Sequence, residues 1–203
     1  MAKIIVVAHQ KGGVGKSTLT LNLAFFFAET VRVAILDCDP QGTINTLGAG
    51  EMITKVSILK EKTKISTLNN LPFDFIFVDT PPYLSNNLPE IFNIADVIVV
   101  PTKASYADIM AIRATIDLIR DASLKNKDLK ALVVLNMIKP NTTLSEETKV
   151  QIEQFNIPLF QGIIHDRVSY VRSLLVEGVG NTGDEKAFNE IAELADGIVD
   201  VMV

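Results

Sequence analysis

The sequence of 203 residues contains a single cysteine, Cys38, so disulfide bonds cannot hold its fold together. It has no apolar run approaching the roughly 18 residues of a membrane span, and its first residues do not follow the signal-peptide pattern. These absences argue against a secreted, disulfide-stapled or membrane-spanning protein. With 48% hydrophobic and 21% charged residues, the composition predicts one domain over residues 1–203 in a reducing cytoplasm.

The formal net charge of -5 arises at one end of the chain. Residues 184–203 hold six acids and one base, whereas the preceding residues hold 18 charges of each sign. Within that neutral part are two basic groups, each either an electrostatic footprint for an anionic partner or a solvated surface. The first group comprises Lys55, Lys60, Lys62 and Lys64, and the second comprises Arg113, Arg120, Lys125, Lys127 and Lys130.

Apolar strand candidates alternate with helical patterns along the chain. Strands are predicted at residues 4–8, 33–36, 75–78, 97–100, 132–135 and 159–164, and helices at 18–28, 87–94, 107–121, 144–155, 168–176 and 185–203. Residues 43–71 show no clean period, and we expect two short helices there. This alternation predicts an α/β fold with a doubly wound, mainly parallel sheet covered by helices on both faces.

A glycine-rich loop directly follows the first predicted strand and precedes the first predicted helix. Its glycines allow positive φ angles, so that successive N–H groups can point inward and bind phosphate at the start of a helix. The loop is therefore predicted to bind a nucleotide through Lys11, Gly12, Gly13, Val14, Gly15, Lys16, Ser17 and Thr18.

Two positions distinguish this loop from the usual phosphate-binding pattern. Lys16 would reach the β- and γ-phosphates and the Ser17 hydroxyl would ligate Mg²⁺, as that pattern requires. However, Gln10 occupies the position of the first glycine, and a second lysine, Lys11, lies at the start of the loop. A loop that binds only one nucleotide already has its ammonium group in Lys16, so the surplus lysine indicates an additional role for Lys11.

Three acids are predicted at the carboxyl ends of strands, where parallel α/β sheets bind their ligands. Asp79 fits a carboxylate that holds Mg²⁺ through water, because this cation prefers oxygen ligands and keeps most of its waters. Asp37 and Asp39 are two residues apart and share one face of an extended backbone. Simple strand-end capping or turn formation by these acids is the alternative.

Three segments together resemble the nucleotide motifs of ParA-type partition ATPases, the deviant Walker A class of P-loop NTPases. They are residues 11–18, residues 35–42 (Ile-Leu-Asp-Cys-Asp-Pro-Gln-Gly) and residues 77–82 (Phe-Val-Asp-Thr-Pro-Pro). The resemblance extends more weakly to the C-terminus. It implies ATP and Mg²⁺ as cofactors and hydrolysis of ATP to ADP and phosphate, in a short form without an N-terminal helix-turn-helix domain.

The same resemblance implies roles for particular residues. Asp39 would orient the attacking water and Asp37 would support the Mg²⁺ shell, so the implied metal residues are Ser17, Asp37 and Asp79. Lys11 would cross to the nucleotide of a second subunit, which makes ATP the signal for a homodimer. The implied catalytic residues are Lys11, Lys16 and Asp39. Asn136 matches an adenine-contacting position, and a turn-forming asparagine is the alternative.

The resemblance also implies partners. A nucleoid-associated ATP dimer would bind non-specific DNA through lysines and arginines on phosphates, and a centromere-binding ParB-like adaptor would stimulate hydrolysis. Arg167 and Arg172 lie in the corresponding DNA-binding region, although both could be ordinary surface residues. We interpret Ser105 and Asp108 as a helix capping box rather than as catalytic groups.

Three rival functions share parts of this pattern. A MinD-like ATPase on a membrane would need a basic amphipathic C-terminal helix, but residues 191–203 are apolar and acidic, so no membrane partner is expected. A nitrogenase-reductase-like electron carrier needs cluster cysteines, which a single cysteine excludes. A scaffold that positions a non-DNA cargo shares every motif and remains open.

Overall fold

The computed structural model describes residues 1–50, 52–60, 62–140 and 144–203. Its strands are β1 Lys3–Val7, β2 Val33–Asp37, β3 Ser57–Ile58, β4 Phe75–Asp79, β5 Val97–Thr102, β6 Lys130–Ile138 and β7 Leu159–His165. They form one parallel sheet in the order β3-β2-β4-β1-β5-β6-β7. The six predicted strands and the doubly wound parallel sheet are confirmed.

The helices are α1 Lys16–Phe27, α2 Thr43–Ala49, α3 Leu88–Ile94, α4 Tyr106–Lys125, α5 Leu144–Glu153, α6 Val168–Ser173 and α7 Glu185–Met202, with short 3-10 helices at Ile65–Asn70 and Val179–Asn181. Each predicted helix has a counterpart. The two short helices expected within residues 43–71 are α2 and the first 3-10 helix, but strand β3 was missed. Only Ser57 and Ile58 form β3, and their pairing with β2 depends on distant residues rather than on a local pattern.

Alternate residues of the central strands supply two separate cores, because side chains on a strand point to opposite faces. On β1, Ile5 and Val7 join the core under α1 and α7, whereas Ile4 and Val6 join the core under α3 and α4. All four side chains are fully buried. The sheet is therefore covered on both faces, as parallel sheets require.

The register of three neighbouring strands places their carboxyl ends at one level. Val7 of β1 pairs with Asp79 of β4, and Asp79 pairs in turn with Asp37 of β2. The segments that follow these strands consequently meet at one edge of the sheet, near the position where the chain direction across the sheet reverses. Among the described residues, no helix has both the length and the apolar character needed to cross a membrane.

Phe77, in the middle of β4, offers a direct test of this core. Its side chain is fully buried, and its ring centroid lies 5.7 Å from that of Phe27 on α1. We expect Phe77→Ala to lower the free energy of unfolding by about 3–5 kcal/mol, because the truncation leaves a cavity. Tyr83→Ala, which truncates a side chain in a residue 48% exposed, should change it by less than about 0.5 kcal/mol. Urea denaturation measures both values, and equal effects would contradict the packing described.

Candidate nucleotide-binding site

The loop between β1 and α1 has the backbone conformation that a phosphate nest requires. Gly13 has a φ of 72° and Gly15 a φ of 87°, both in the left-handed region that favours glycine. Gly15 immediately precedes α1, and no side chain among the described residues caps this end of the helix. The N–H groups of the first turn therefore remain available for an anionic ligand.

Asn136 of β6 supports this loop from below. Its side chain is buried, and its Nδ2 donates a hydrogen bond of 2.7 Å to the carbonyl oxygen of Val14. A Cβ atom at Gly15 would collide with the same amide nitrogen. Because Asn136 lies within a strand, the turn-forming alternative is wrong. The predicted adenine contact stays a prediction.

His9 fixes the start of the loop, a role that the sequence did not reveal. Its Nδ1 accepts a hydrogen bond of 2.8 Å from the backbone N–H of Lys11. Burial above all, and then the charge of Lys16, lowers the pKa of His9 to about 4. The imidazole is therefore neutral near pH 7 and keeps the acceptor that this bond needs. The only sequence signal is its place between β1 and the glycines.

Lys16 lies inside the loop rather than on the surface. Its side chain is buried, and its Nζ lies 3.4 Å from the carbonyl oxygen of Lys11, to which it donates. Burial lowers the pKa of Lys16, and the negative charges of Asp79 and then Asp39 oppose this. An ammonium group held in this way has few partners to give up when a phosphate enters.

Ser17 and Asp79 come together at the end of β4, as predicted for a magnesium site. The Ser17 hydroxyl donates to Asp79 Oδ2 at 2.5 Å, and the Thr20 hydroxyl donates to Oδ1 at 3.3 Å. Burial raises the pKa of Asp79 to about 7, although the bond from Ser17 opposes that rise. A desolvated carboxylate beside a hydroxyl suits a hard divalent cation.

A cation at this point would have few protein ligands. Within the described ranges, no cluster of three or more His, Cys, Asp or Glu side chains could hold a metal ion. Mg²⁺ typically binds through one or two carboxylates and phosphate oxygens while keeping several waters. The donor set of Ser17 and Asp79 therefore fits Mg²⁺ bound together with a nucleotide.

Asp37 has a structural task in addition to the predicted metal role. Its Oδ1 accepts from the N–H of Asp39 at 3.0 Å, and its Oδ2 accepts from the N–H groups of Ile44 and Asn45, each at 3.1 Å. Burial raises the pKa of Asp37, and these bonds counteract the rise. Asp37 thus fixes the start of α2 and the turn that carries Asp39, whereas its support of a Mg²⁺ shell stays a prediction.

Asp39 lies in a tight turn after β2, partly exposed on the nucleotide side. Its Oδ1 accepts from the N–H of Gln41 at 3.0 Å, and its carbonyl oxygen accepts from the N–H of Gly42 at 2.8 Å. Its charge also acts on Lys16. These contacts hold the Asp39 carboxylate near the phosphate loop, where a water-orienting group would need to be.

Lys11 forms an ion pair that the sequence did not predict. Its Nζ lies 2.6 Å from Oδ1 of Asp108, and 41% of the Lys11 side chain is exposed against 4% for Asp108. The predicted capping role of Ser105 is confirmed, since its Oγ accepts from the N–H of Asp108 at 3.2 Å at the start of α4. The reciprocal half of a capping box is not formed, because the N–H of Ser105 donates to the carbonyl oxygen of Lys103 at 2.9 Å. Although burial raises the pKa of Asp108, hydrogen bonds from Lys11 and Ser105 lower it overall. The two loop lysines therefore have different partners.

Arg167 and Arg172 occupy different environments. The Arg167 guanidinium donates to Glu190 Oε1 at 2.6 and 3.0 Å, and Glu190 also contacts His165 Nδ1 at 2.7 Å and Tyr170 at 2.9 Å. Arg167 lines a cavity of about 70 Å³ beside the phosphate loop, together with Gly15, Thr18 and Asn136. Arg172 is exposed on α6. Their DNA contacts stay predictions.

A parallel sheet whose first strand leads through a glycine-rich loop to a buried lysine, with a hydroxyl–carboxylate pair alongside, defines a P-loop nucleotide-binding protein. Residues 5–177 match the family model described as the CobQ/CobB/MinD/ParA nucleotide binding domain. The chain belongs to this family.

Relatives agree with this assignment. Maintenance of carboxysome distribution protein A of Halothiobacillus neapolitanus is 31% identical over 186 residues, which cover 86% of this chain and 84% of that protein. Protein ParA of Rhizobium radiobacter is 26% identical over 194 residues, which cover 91% and 86%. A crystal structure of a plasmid partition protein of Borrelia burgdorferi B31, bound to AMPPNP, superposes with a TM-score of 0.80 at 19% identity, covering 98% of this chain and 99% of that one. This last similarity shows the fold.

Alanine substitutions at Gly13 and Gly15 distinguish backbone strain in the loop from a steric collision with Asn136. Gly13→Ala introduces only backbone strain of about 1–2 kcal/mol, because nothing lies within 4 Å of its Cβ position. Gly15→Ala adds a collision with Asn136 to the same strain. We expect Gly15→Ala to have the lower melting temperature and to lose ATP binding by calorimetry, while Gly13→Ala retains more of both. The reverse order would contradict the described support by Asn136.

Proposed function

We propose that this protein is an ATPase of a DNA segregation system, which dimerises with ATP and binds non-specific DNA as the dimer. The observation that carries the proposal is that the two loop lysines differ in burial and in the group that each contacts. Lys16 is buried in the loop, whereas Lys11 extends to Asp108 and remains partly exposed. A lysine that leaves its own phosphate site is suited to a nucleotide held by a second copy.

Hydrolysis would proceed by in-line attack of water on the γ-phosphate. Loop N–H groups and Lys16 bind the phosphates and stabilise the charge that develops on them. Ser17 and Asp79 would hold Mg²⁺, which would supply positive charge to neutralise the phosphate oxygens. Asp39 orients the attacking water from the turn that Asp37 fixes. The protein thus contributes position and electrostatics rather than a covalent step.

Dimerisation would depend on ATP for an electrostatic reason. Without nucleotide, Lys11 is paired with Asp108 of its own protomer and has no phosphate to contact in a facing subunit. A γ-phosphate in the facing site offers Lys11 a stronger anionic partner than one carboxylate. Two symmetric contacts then form at once, because the interface of a twofold dimer repeats every interaction.

DNA binding would follow from the same symmetry. Each lysine or arginine that contacts a phosphate counts twice in a dimer, so affinity rises steeply when the dimer forms. A ParB-like adaptor that binds the centromere and stimulates hydrolysis would reset the cycle. The relative named ParA supports a partition role for this chain.

Positioning of a protein cargo is the second candidate, and it is favoured by one observation. The carboxysome distribution protein is 31% identical to this chain, above the value for the relative named ParA. Both candidates require the same ATP dimer and differ in the partner that stimulates it. A neighbouring gene for a small basic protein, together with DNA repeats, would favour partition. An operon that encodes a large assembly would favour cargo positioning.

Replacement of Lys11 tests the dimer. ATP with Mg²⁺, but not ADP, should convert the wild type to a dimer that retains duplex DNA in moderate salt, and Lys11→Ala should abolish both effects. Light scattering after size exclusion measures the dimer, and fluorescence anisotropy measures the DNA. A Lys11→Ala protein that dimerises and binds DNA like the wild type would refute the proposal.

Asp108→Asn is the matched variant for the same experiment. It keeps the shape of the side chain but removes the charge that holds Lys11 in its own protomer. We expect a lower ATP concentration at half-maximal dimerisation than in the wild type. An unchanged midpoint would show that the ion pair does not restrain Lys11.

Asp39→Ala should separate binding from turnover. Without the water-orienting carboxylate, ATP hydrolysis should fall by about 100-fold, while ATP-dependent dimerisation and DNA retention persist. Phosphate release measures turnover, and the anisotropy assay serves as the control. Unchanged turnover would exclude the role assigned to Asp39.

A further inference from the structure

Three exposed lysines form a turn that the nucleotide site does not use. This lysine turn comprises Lys60, Lys62 and Lys64, and it is closed by a hydrogen bond of 2.8 Å from the N–H of Thr63 to the carbonyl oxygen of Lys60. None of the three ammonium groups has an ion-pair partner among the described residues. Lys55, by contrast, pairs with Glu29 at 2.6 Å. The turn therefore presents three lysine charges without an ion-pair partner among the described residues, and Glu61 is the one acid between them in sequence.

The lysine turn lies at the same edge of the sheet as the nucleotide site. It follows the parallel strand β3, and the N–H of Leu59 donates to Ile35 of β2 at 2.8 Å, which fixes its position. Lys64 lines a groove of about 470 Å³ together with Asp37, Pro40 and Tyr83. Lys64, at the end of the turn, thus shares a groove with the segment that carries Asp39 and with the segment that follows Asp79.

The sheet order keeps the lysine turn outside a dimer interface centred on the phosphate loop. Strand β3 is separated from β1 by β2 and β4, a distance of about 14 Å at the usual spacing between strands. Two facing loops at β1 would leave both turns at the rim of the interface. A dimer would therefore present six lysines, three from each protomer, at its edges.

The second basic group has a different location. Lys125 ends α4 and Lys130 begins β6, so these two lysines of the group lie at the amino edge of the strands, opposite the nucleotide site. Its Arg120 is already engaged with the carbonyl oxygen of Phe155 at 2.8 Å and with Asp117 at 3.5 Å. Its distance from the nucleotide site makes the second basic group less suited to a response to ATP.

We infer that the lysine turn is a contact surface for the phosphate backbone of duplex DNA in the ATP dimer. The inference rests on the proposed function and names the DNA-contacting residues within it. Lysine ammonium groups are compact point charges on long flexible stems, which suits sequence-independent contact with phosphates. Through Lys64, the shared groove places one end of this surface beside two segments of the nucleotide site.

The experiment removes the three lysine charges of the turn and compares the effect on DNA binding with removal of three lysine charges from the second basic group. The test variant is Lys60→Ala/Lys62→Ala/Lys64→Ala, and the control is Lys125→Ala/Lys127→Ala/Lys130→Ala. Duplex DNA affinity is measured by anisotropy with ATP and Mg²⁺ over a series of salt concentrations. We expect the test variant to bind about tenfold more weakly or worse, and the slope of log affinity against log salt to fall by about 5, since a dimer loses six phosphate contacts. The control should keep the wild-type slope.

Two further variants distinguish phosphate contact from protection of the sheet edge. ATP-dependent dimerisation of the test variant should match the wild type, and Lys60→Arg/Lys62→Arg/Lys64→Arg should restore DNA binding because it restores charge. If the turn only protects the edge strand, the alanine variant will aggregate, and the soluble variant Lys60→Glu/Lys62→Glu/Lys64→Glu will bind DNA like the wild type. That result would overturn the inference.

The remaining outcomes separate the inference from the proposed function. A wild-type protein that dimerises with ATP but never binds DNA would overturn both. A wild type that binds DNA, with a test variant equal to the control in affinity and slope, would overturn only the inference. Loss of binding to vesicles of anionic lipid, without loss of DNA binding, would assign the turn to a membrane surface and overturn it as well.

Discussion

The candidate site depends on the in-register parallel pairing of β1, β4 and β2. Pairing of Val7 with Asp79 and of Asp79 with Asp37 brings three strand ends to one level. The glycine loop, the Ser17–Asp79 pair and the turn of Asp39 all start from that level. A shift of one residue in any of these strands would turn its apolar side chains to the wrong face, so both cores hold the register in place.

Burial gives the site its electrostatic character before any ligand binds. Lys16 and Asp79 both lie in low-dielectric surroundings, which lower the pKa of the lysine and raise that of the carboxyl group. Each charge is therefore less stable than it would be in water. Phosphate oxygens beside Lys16 and a divalent cation beside Asp79 would supply opposite charges in place of the water that burial excludes. A nucleotide with its metal would relieve both groups together.

In the proposed cycle, Lys11 and the lysine turn would extend this arrangement beyond one protomer. Lys11 is paired with Asp108 of its own protomer and would exchange that carboxylate for a phosphate of the facing subunit. Binding of ATP would then form the dimer and bring the two lysine turns to its edges. Hydrolysis would remove the γ-phosphate and reverse both effects.

Local periodicity and spacing along the chain were enough to predict the alternation of strands and helices, the phosphate loop, the acids at strand ends and the N-cap at Ser105. The motif pattern assigned Ser17 and Asp79 to one magnesium site, and the hydrogen bond between them was found only in the structure. Tertiary packing was needed to establish that His9 accepts from Lys11, that Asn136 supports Val14, that Lys11 pairs with Asp108 and that Arg167 binds Glu190. Most of these contacts join residues far apart in the chain, and they exist because packing of the two cores brings separate strands and helices together.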